Sequence, residues 1–98
     1  MKDLGALIHF KTRNRGAEPG GPGGGYCRVY GRFSDWETFE EEVRRHFRRH
    51  FRYDVVEFEE KKAVESPENP RQAALIRELD RFPIQYLTMQ LYPADNGH

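Results

Sequence analysis

Residues Ser34 to Arg52 read SDWETFEEEVRRHFRRHFR. Trp36, Phe39, Val43, Phe47 and Phe51 recur at spacings of three and four, which places them on one stripe of an α-helix. Ser34-Asp35-Trp36-Glu37 reads as a capping box. The serine hydroxyl would accept an amide of the first turn while Glu37 reaches back to the cap. Glutamates fill the first half of the segment and arginines the second. This order suits the helix dipole and sets up Glu40 with Arg44 and Glu41 with Arg45 one turn apart. The helix is expected to run to about His50.

On both sides of this helix the apolar period changes to two, the signature of half-buried strands. Over 4–12, Leu4, Ala6, Ile8 and Phe10 share one face, with Leu7, His9 and Lys11 on the other. Over 26–33, Cys27, Val29 and Phe33 oppose Tyr26, Arg28, Tyr30 and Arg32. The segment 14–25, NRGAEPGGPGGG, holds six of the nine glycines and reads as a flexible hairpin connection. A phosphate-binding loop would need a helix after it, whereas a strand pattern follows. A third strand is expected over 53–61, with Val56 and Phe58 on one face and Tyr53 and Val55 on the other. A second helix should start at Asn69 as cap with Pro70 at its first position. Its stripe would be Leu75, Ile76, Leu79 and Phe82, and Pro83 would end it. The last strand, 84–92, has Leu87, Met89 and Leu91 on one side and Ile84, Tyr86, Thr88 and Tyr92 on the other. Being apolar on both sides, it is expected in the middle of the sheet.

The order is β-β-α-β-α-β. It implies a single α+β domain over 1–98: a four-stranded, mainly antiparallel sheet with two helices packed on one face. The chain has 98 residues, and its sixteen basic and sixteen acidic side chains cancel. This zero is segmental, because bases dominate 1–34 and acids dominate 54–68. A global pull toward nucleic acid or an anionic membrane is therefore not expected. With no apolar run of membrane-spanning length and no apolar N-terminal stretch, the expected location is cytoplasmic. The single cysteine, Cys27, leaves no intramolecular disulfide and no cysteine-rich zinc site.

If both helices cover one face, the other face should present Tyr26, Arg28, Tyr30 and Arg32 with His9 and Lys11, joined by Tyr86, Thr88 and Tyr92. Tyrosine and arginine on an open sheet are the residue types that anchor protein interfaces. The same alternation can also stack single-stranded bases and neutralise phosphates, which is the alternative reading. On the first helix, Arg45 and Arg49 belong to an arginine cluster suited to bidentate contacts with an acidic partner. His46 and His50 have the spacing of a two-imidazole metal site. However, the helical projection sets His50 in the apolar stripe and His46 at its edge, so no metal and no cofactor are expected.

Val29-Tyr30-Gly31 followed by a capped helix is similar to the core of the GIY-YIG nucleases, over the first half of the chain. The resemblance implies a role for Tyr30, a catalytic arginine near 38–40, where this chain has none, and a metal-binding glutamate at Glu78. No G-x-S-x-G, H-E-x-x-H, Walker or Rossmann pattern occurs. The function expected from the sequence is thus non-catalytic recognition of a protein partner or of a second copy. Its contacts would be Tyr26, Arg28, Tyr30, Arg32, Tyr86, Tyr92, Arg45 and Arg49.

Overall fold

The structure, a computed structural model, describes residues 1–12, 22–87 and 89–93. Its elements are β1 (Lys2–Thr12), β2 (Pro22–Phe33), α1 (Trp36–Phe51), β3 (Tyr53–Ala63), α2 (Pro70–Glu78), β4 (Ile84–Tyr86) and β5 (Gln90–Pro93). The sheet runs β3-β1-β2-β4, with β5 also pairing β2, and every pairing is antiparallel. The α+β class and the element order are those read from the sequence. Among the described residues, no helix is long and apolar enough to cross a membrane.

β1 and β2 form the central ladder, from Lys2 opposite Phe33 to Lys11 opposite Gly24. Their alternation divides the sheet into two faces. Leu4, Ala6, Ile8 and Phe10 with Cys27 and Val29 make the floor of the main core. α1 closes it with Phe39, Val43 and Phe47, all fully buried, flanked by Trp36 and Phe51. The expected stripe is therefore the one that packs. The cap falls one residue later than the capping box implies. Asp35 is the N-cap and accepts the Thr38 N–H at 2.7 Å, which holds its carboxyl below the usual carboxylate range. A carboxylate satisfies both the amide and the positive end of the helix dipole, so it outcompetes the neighbouring hydroxyl.

Four expectations change. First, α2 does not lie beside α1. Its cap is as read, with Asn69 accepting the Gln72 N–H at 2.8 Å. However, the contacts of α2 and the turn after it are with Tyr30 and Arg32, whose side chains belong to the face opposite α1. Tyr30 and Leu79 are buried outside the main core cluster. α2 ends at Glu78, and Phe82 lies in the following turn with 62 % of its surface exposed.

Second, the last strand is not central. It splits into β4 and β5 against the outer edge of β2. The break between them reverses the side-chain alternation. Tyr86 thus faces α1 while Tyr92 faces the other side, and Thr88 lies outside the described residues. Third, β3 carries two irregularities against β1. At one, Val56 is the unpaired extra residue and is exposed; at the other, Glu60 takes φ 48°. The first bulge brings Tyr53, Val55 and Phe58 to the core face together, which strict alternation forbids. Fourth, Pro22–Gly25 extend β2 rather than belonging to the connection, and the rest of that glycine-rich segment lies outside the described residues.

Candidate functional site

The six sheet residues expected to form one open surface separate into three environments, and the two helix arginines lie apart from them. Tyr30 is 6 % exposed beneath α2, and the Gln72 Nε2 donates to its hydroxyl at 3.2 Å. Arg32 is committed to structure. Its Nε donates to Asp3 Oδ1 at 2.7 Å, and its other nitrogens reach Asp80 and the Ile76 carbonyl. These hydrogen bonds to Asp3 and Asp80 raise its pKa further, so it ties β1, β2 and α2 together as a permanent cation. Tyr86 packs its ring against Phe47, Phe51 and His46 on the α1 side. Arg45 pairs with Glu41 and Glu42 on the outer surface of α1. Arg49 lines a separate cleft of about 280 Å³ with His46, His50 and Phe82. Tyr30, Arg32 and Tyr86 therefore do not belong to an open tyrosine plane, and Arg45 and Arg49 lie on α1, as expected.

Tyr26, Arg28 and Tyr92 do come together, at the end of the sheet face that α2 leaves open. His9 stacks on Tyr26 with ring centroids 4.7 Å apart, and its Nε2 shares a hydrogen bond with the Tyr92 hydroxyl at 2.7 Å. Gly24 makes the arrangement possible. A Cβ there would lie 2.4 Å from the Tyr92 hydroxyl and 2.4 Å from the Phe10 carbonyl oxygen. Tyr92 therefore crosses over the β2 backbone to reach β1 only because that position has no side chain.

Between this aromatic cluster and α2 runs a groove in two adjoining parts. The part beside Tyr26 has a volume of about 420 Å³ and is lined by Leu7, Tyr26, Cys27, Arg28, Arg71, Leu87 and Gln90. The part beside the start of α2 has a volume of about 480 Å³, and Glu60, Lys62, Glu68 and Gln72 contribute to its walls. Arg28, Arg71 and Leu87 line both. Arg28 Nη2 meets Glu60 Oε2 at 3.1 Å in an exposed pair, which holds the guanidinium only weakly. Lys62 depresses the Glu68 carboxyl, first by a hydrogen bond and then by its charge, and the charge of Arg28 acts on Glu68 in the same direction.

Cys27 reaches the groove but is 2 % exposed, and its Sγ–H donates to the Leu87 carbonyl at 3.2 Å. Burial pushes its thiol up to about 12, so it carries no thiolate at neutral pH and serves as a small core residue. His46 and His50 sit with ring centroids 4.4 Å apart. Contrary to the helical projection, His46 is the half-buried one and His50 is exposed. Among the described residues, no cluster of three or more His, Cys, Asp or Glu side chains is placed to hold a metal ion. Tyr30 lines the part of the groove beside the start of α2, and Glu78, exposed at the far end of α2, does not line that part.

The sequence pattern identified Tyr26, Arg28 and Tyr92 but not Arg71, Leu87 or Gln90. Arg71 is one of many helical arginines until α2 is known to lie on the Tyr30 face. Strict alternation through 84–92 puts Leu87 on the core side, and the break between β4 and β5 is what turns it to the groove. Comparison with known protein families, with curated proteins and with solved structures finds no match for this chain.

Proposed function

We propose that the chain is a non-catalytic recognition module that binds another protein through the open half of its second sheet face. The observation that carries this reading is the groove between α2 and the His9–Tyr26–Tyr92 cluster. It combines an apolar floor (Leu7, Leu87), a rigid aromatic wall and two guanidinium groups contributed by different elements. Such a mixture suits contact with a protein surface, where tyrosine and arginine supply most of the binding energy. The surface is narrower than the whole tyrosine plane expected from the sequence, because α2 stands on one end of it. A second copy of the chain is one candidate partner, consistent with the cancelling charged segments.

Two measurements test the reading. Light scattering gives the mass in solution. A photo-crosslinking residue in place of Tyr26, with the same residue at Thr38 on the exposed side of α1 as control, reports what approaches the groove. A mass above the monomer, or a protein adduct formed from position 26 and not from 38, supports the proposal. A monomer at every concentration that forms no adduct from position 26 overturns it.

A further inference from the structure

We infer that the groove takes an extended acidic segment of a partner protein, its carboxylates seated between Arg28 and Arg71 and an apolar side chain laid against Leu7, Leu87 and Tyr26. This inference rests on the recognition reading above and names its partner chemistry.

Charge complementarity is the first support. Arg28 and Arg71 line the part of the groove beside Tyr26, and among the described residues no carboxylate lines it. Glu60 and Glu68 stand in the adjoining part, where Arg28 and Lys62 already engage them, and Glu59 and Glu57 stand farther off, across β1 opposite Leu7 and His9. Arg71 comes from the first turn of α2 and Arg28 from the middle of β2, so the fold brings cations from two elements to one floor. A carboxylate meets an arginine in parallel, paired hydrogen bonds, and two such sites along a groove set both position and direction.

Shape is the second support. α2 rises beside the groove as a wall, which hinders a broad flat partner but leaves room for a single extended chain. The floor is apolar at Leu7 and Leu87, so it rewards one apolar side chain between the two charged contacts. Because Tyr26 is already stacked on His9, it loses little freedom on binding.

The test uses the full chain and three fluorescein-labelled probes: a short peptide of glutamates around a central phenylalanine, the same peptide with lysines for glutamates, and an oligothymidylate of matching charge. Fluorescence anisotropy gives affinities, and amide chemical shifts give the location. The glutamate peptide is expected to bind most tightly, to move the amides of Arg28, Arg71 and Leu87, and to weaken about tenfold or more in Arg71→Glu and again in Arg28→Glu. Both positions are exposed, so these variants are expected to fold, and the dispersion of the amide spectrum checks that they do. Three results overturn the inference: no binding of the glutamate peptide, binding unchanged in Arg71→Glu, or tighter binding of oligothymidylate. If the lysine peptide binds at Tyr26 instead, the acidic partner is wrong while protein recognition at this surface stands. If no peptide binds there and position 26 forms no protein adduct, both proposals fall together.

Discussion

At one end of the β1–β2 ladder the ring of Tyr30 lies over Gly5, and at the other the ring of Tyr92 lies over Gly24. In both places a tyrosine crosses to a neighbouring strand over a residue without a side chain, on the same face of the sheet. The surroundings then diverge. Over Tyr30 stands α2, and Arg32 pins that helix end through Asp3 and Asp80. Next to Tyr92, Tyr26 keeps 39 % of its surface in solvent and Arg28 is held only by an exposed ion pair. One residue pattern thus yields a structural joint at one end and an available surface at the other. What separates them is the landing place of α2.

The comparison makes its largest demand on the tyrosines. Tyr30→Ala should destabilise the fold by about 3 kcal/mol, the cost of emptying a packed aromatic site. Tyr26→Ala, at a half-exposed site, should cost less than about 1 kcal/mol. Urea unfolding followed by circular dichroism measures both. Equal losses would mean that the two ends do not differ in the way described. Next in size is Gly5→Ala. Its Cβ would lie 2.9 Å from the Tyr30 ring, which α2 prevents from moving away. Overpacking of this kind costs about 2 kcal/mol, and α2 amides should lose hydrogen-exchange protection before those of α1.

The arginines give a subtler contrast. Arg32→Ala removes the ties to Asp3, Asp80 and the Ile76 carbonyl together, and leaves Asp3 without its partner. Faster exchange across α2 is the expected signature. Arg28→Ala breaks one exposed pair and should leave exchange across the molecule unchanged, while removing a contact from the groove. An α2 that exchanges equally in both variants would show that Arg32 does not act as its anchor.

Local signals were legible in the sequence wherever one element decides its own structure. The stripe from Trp36 to Phe51, the Asn69–Pro70 helix start and the faces of β1 and β2 all follow from spacing and capping chemistry. What spacing does not encode is which side of a sheet a helix lands on. Leu75, Ile76 and Leu79 offer an apolar stripe equally able to pack beside α1 or against Tyr30 and Gly5. Period-two reading also fails silently at an irregularity. One extra residue at Val56 reverses the assignment of Tyr53 and Val55 relative to Phe58. The break at 87–89 likewise separates Tyr86 from Tyr92. Tyr30 and Arg32 for the first reason, and Tyr86 for the second, leave the surface that spacing alone assigns them, since that surface depends on long-range packing.

The smallest expected effect lies on the α1 side and asks whether the two ends unfold as one unit. Burial, and secondarily the charge of His50, hold the His46 imidazole below its ordinary value of 6.5. As pH falls through 6.5, the unfolded chain takes up this proton before the folded one does. The stability contribution is complete above 6.5 and is lost as pH falls through the folded value, so the urea midpoint should decline over that window and His46→Gln should flatten the decline. The depressed carboxyls of Asp35 and Glu68 lose their contributions only at lower pH, which keeps the steps apart. Amides of β1 and β2 that exchange through global opening should lose protection in parallel with the midpoint, once intrinsic exchange rates are divided out. If α2 detaches by a local opening, its amides are governed by that opening and stay level across the same window. A decline in α2 that tracks β1 would instead join the covered end to the main core as one cooperative body, with only the Tyr26 end free to respond to a partner.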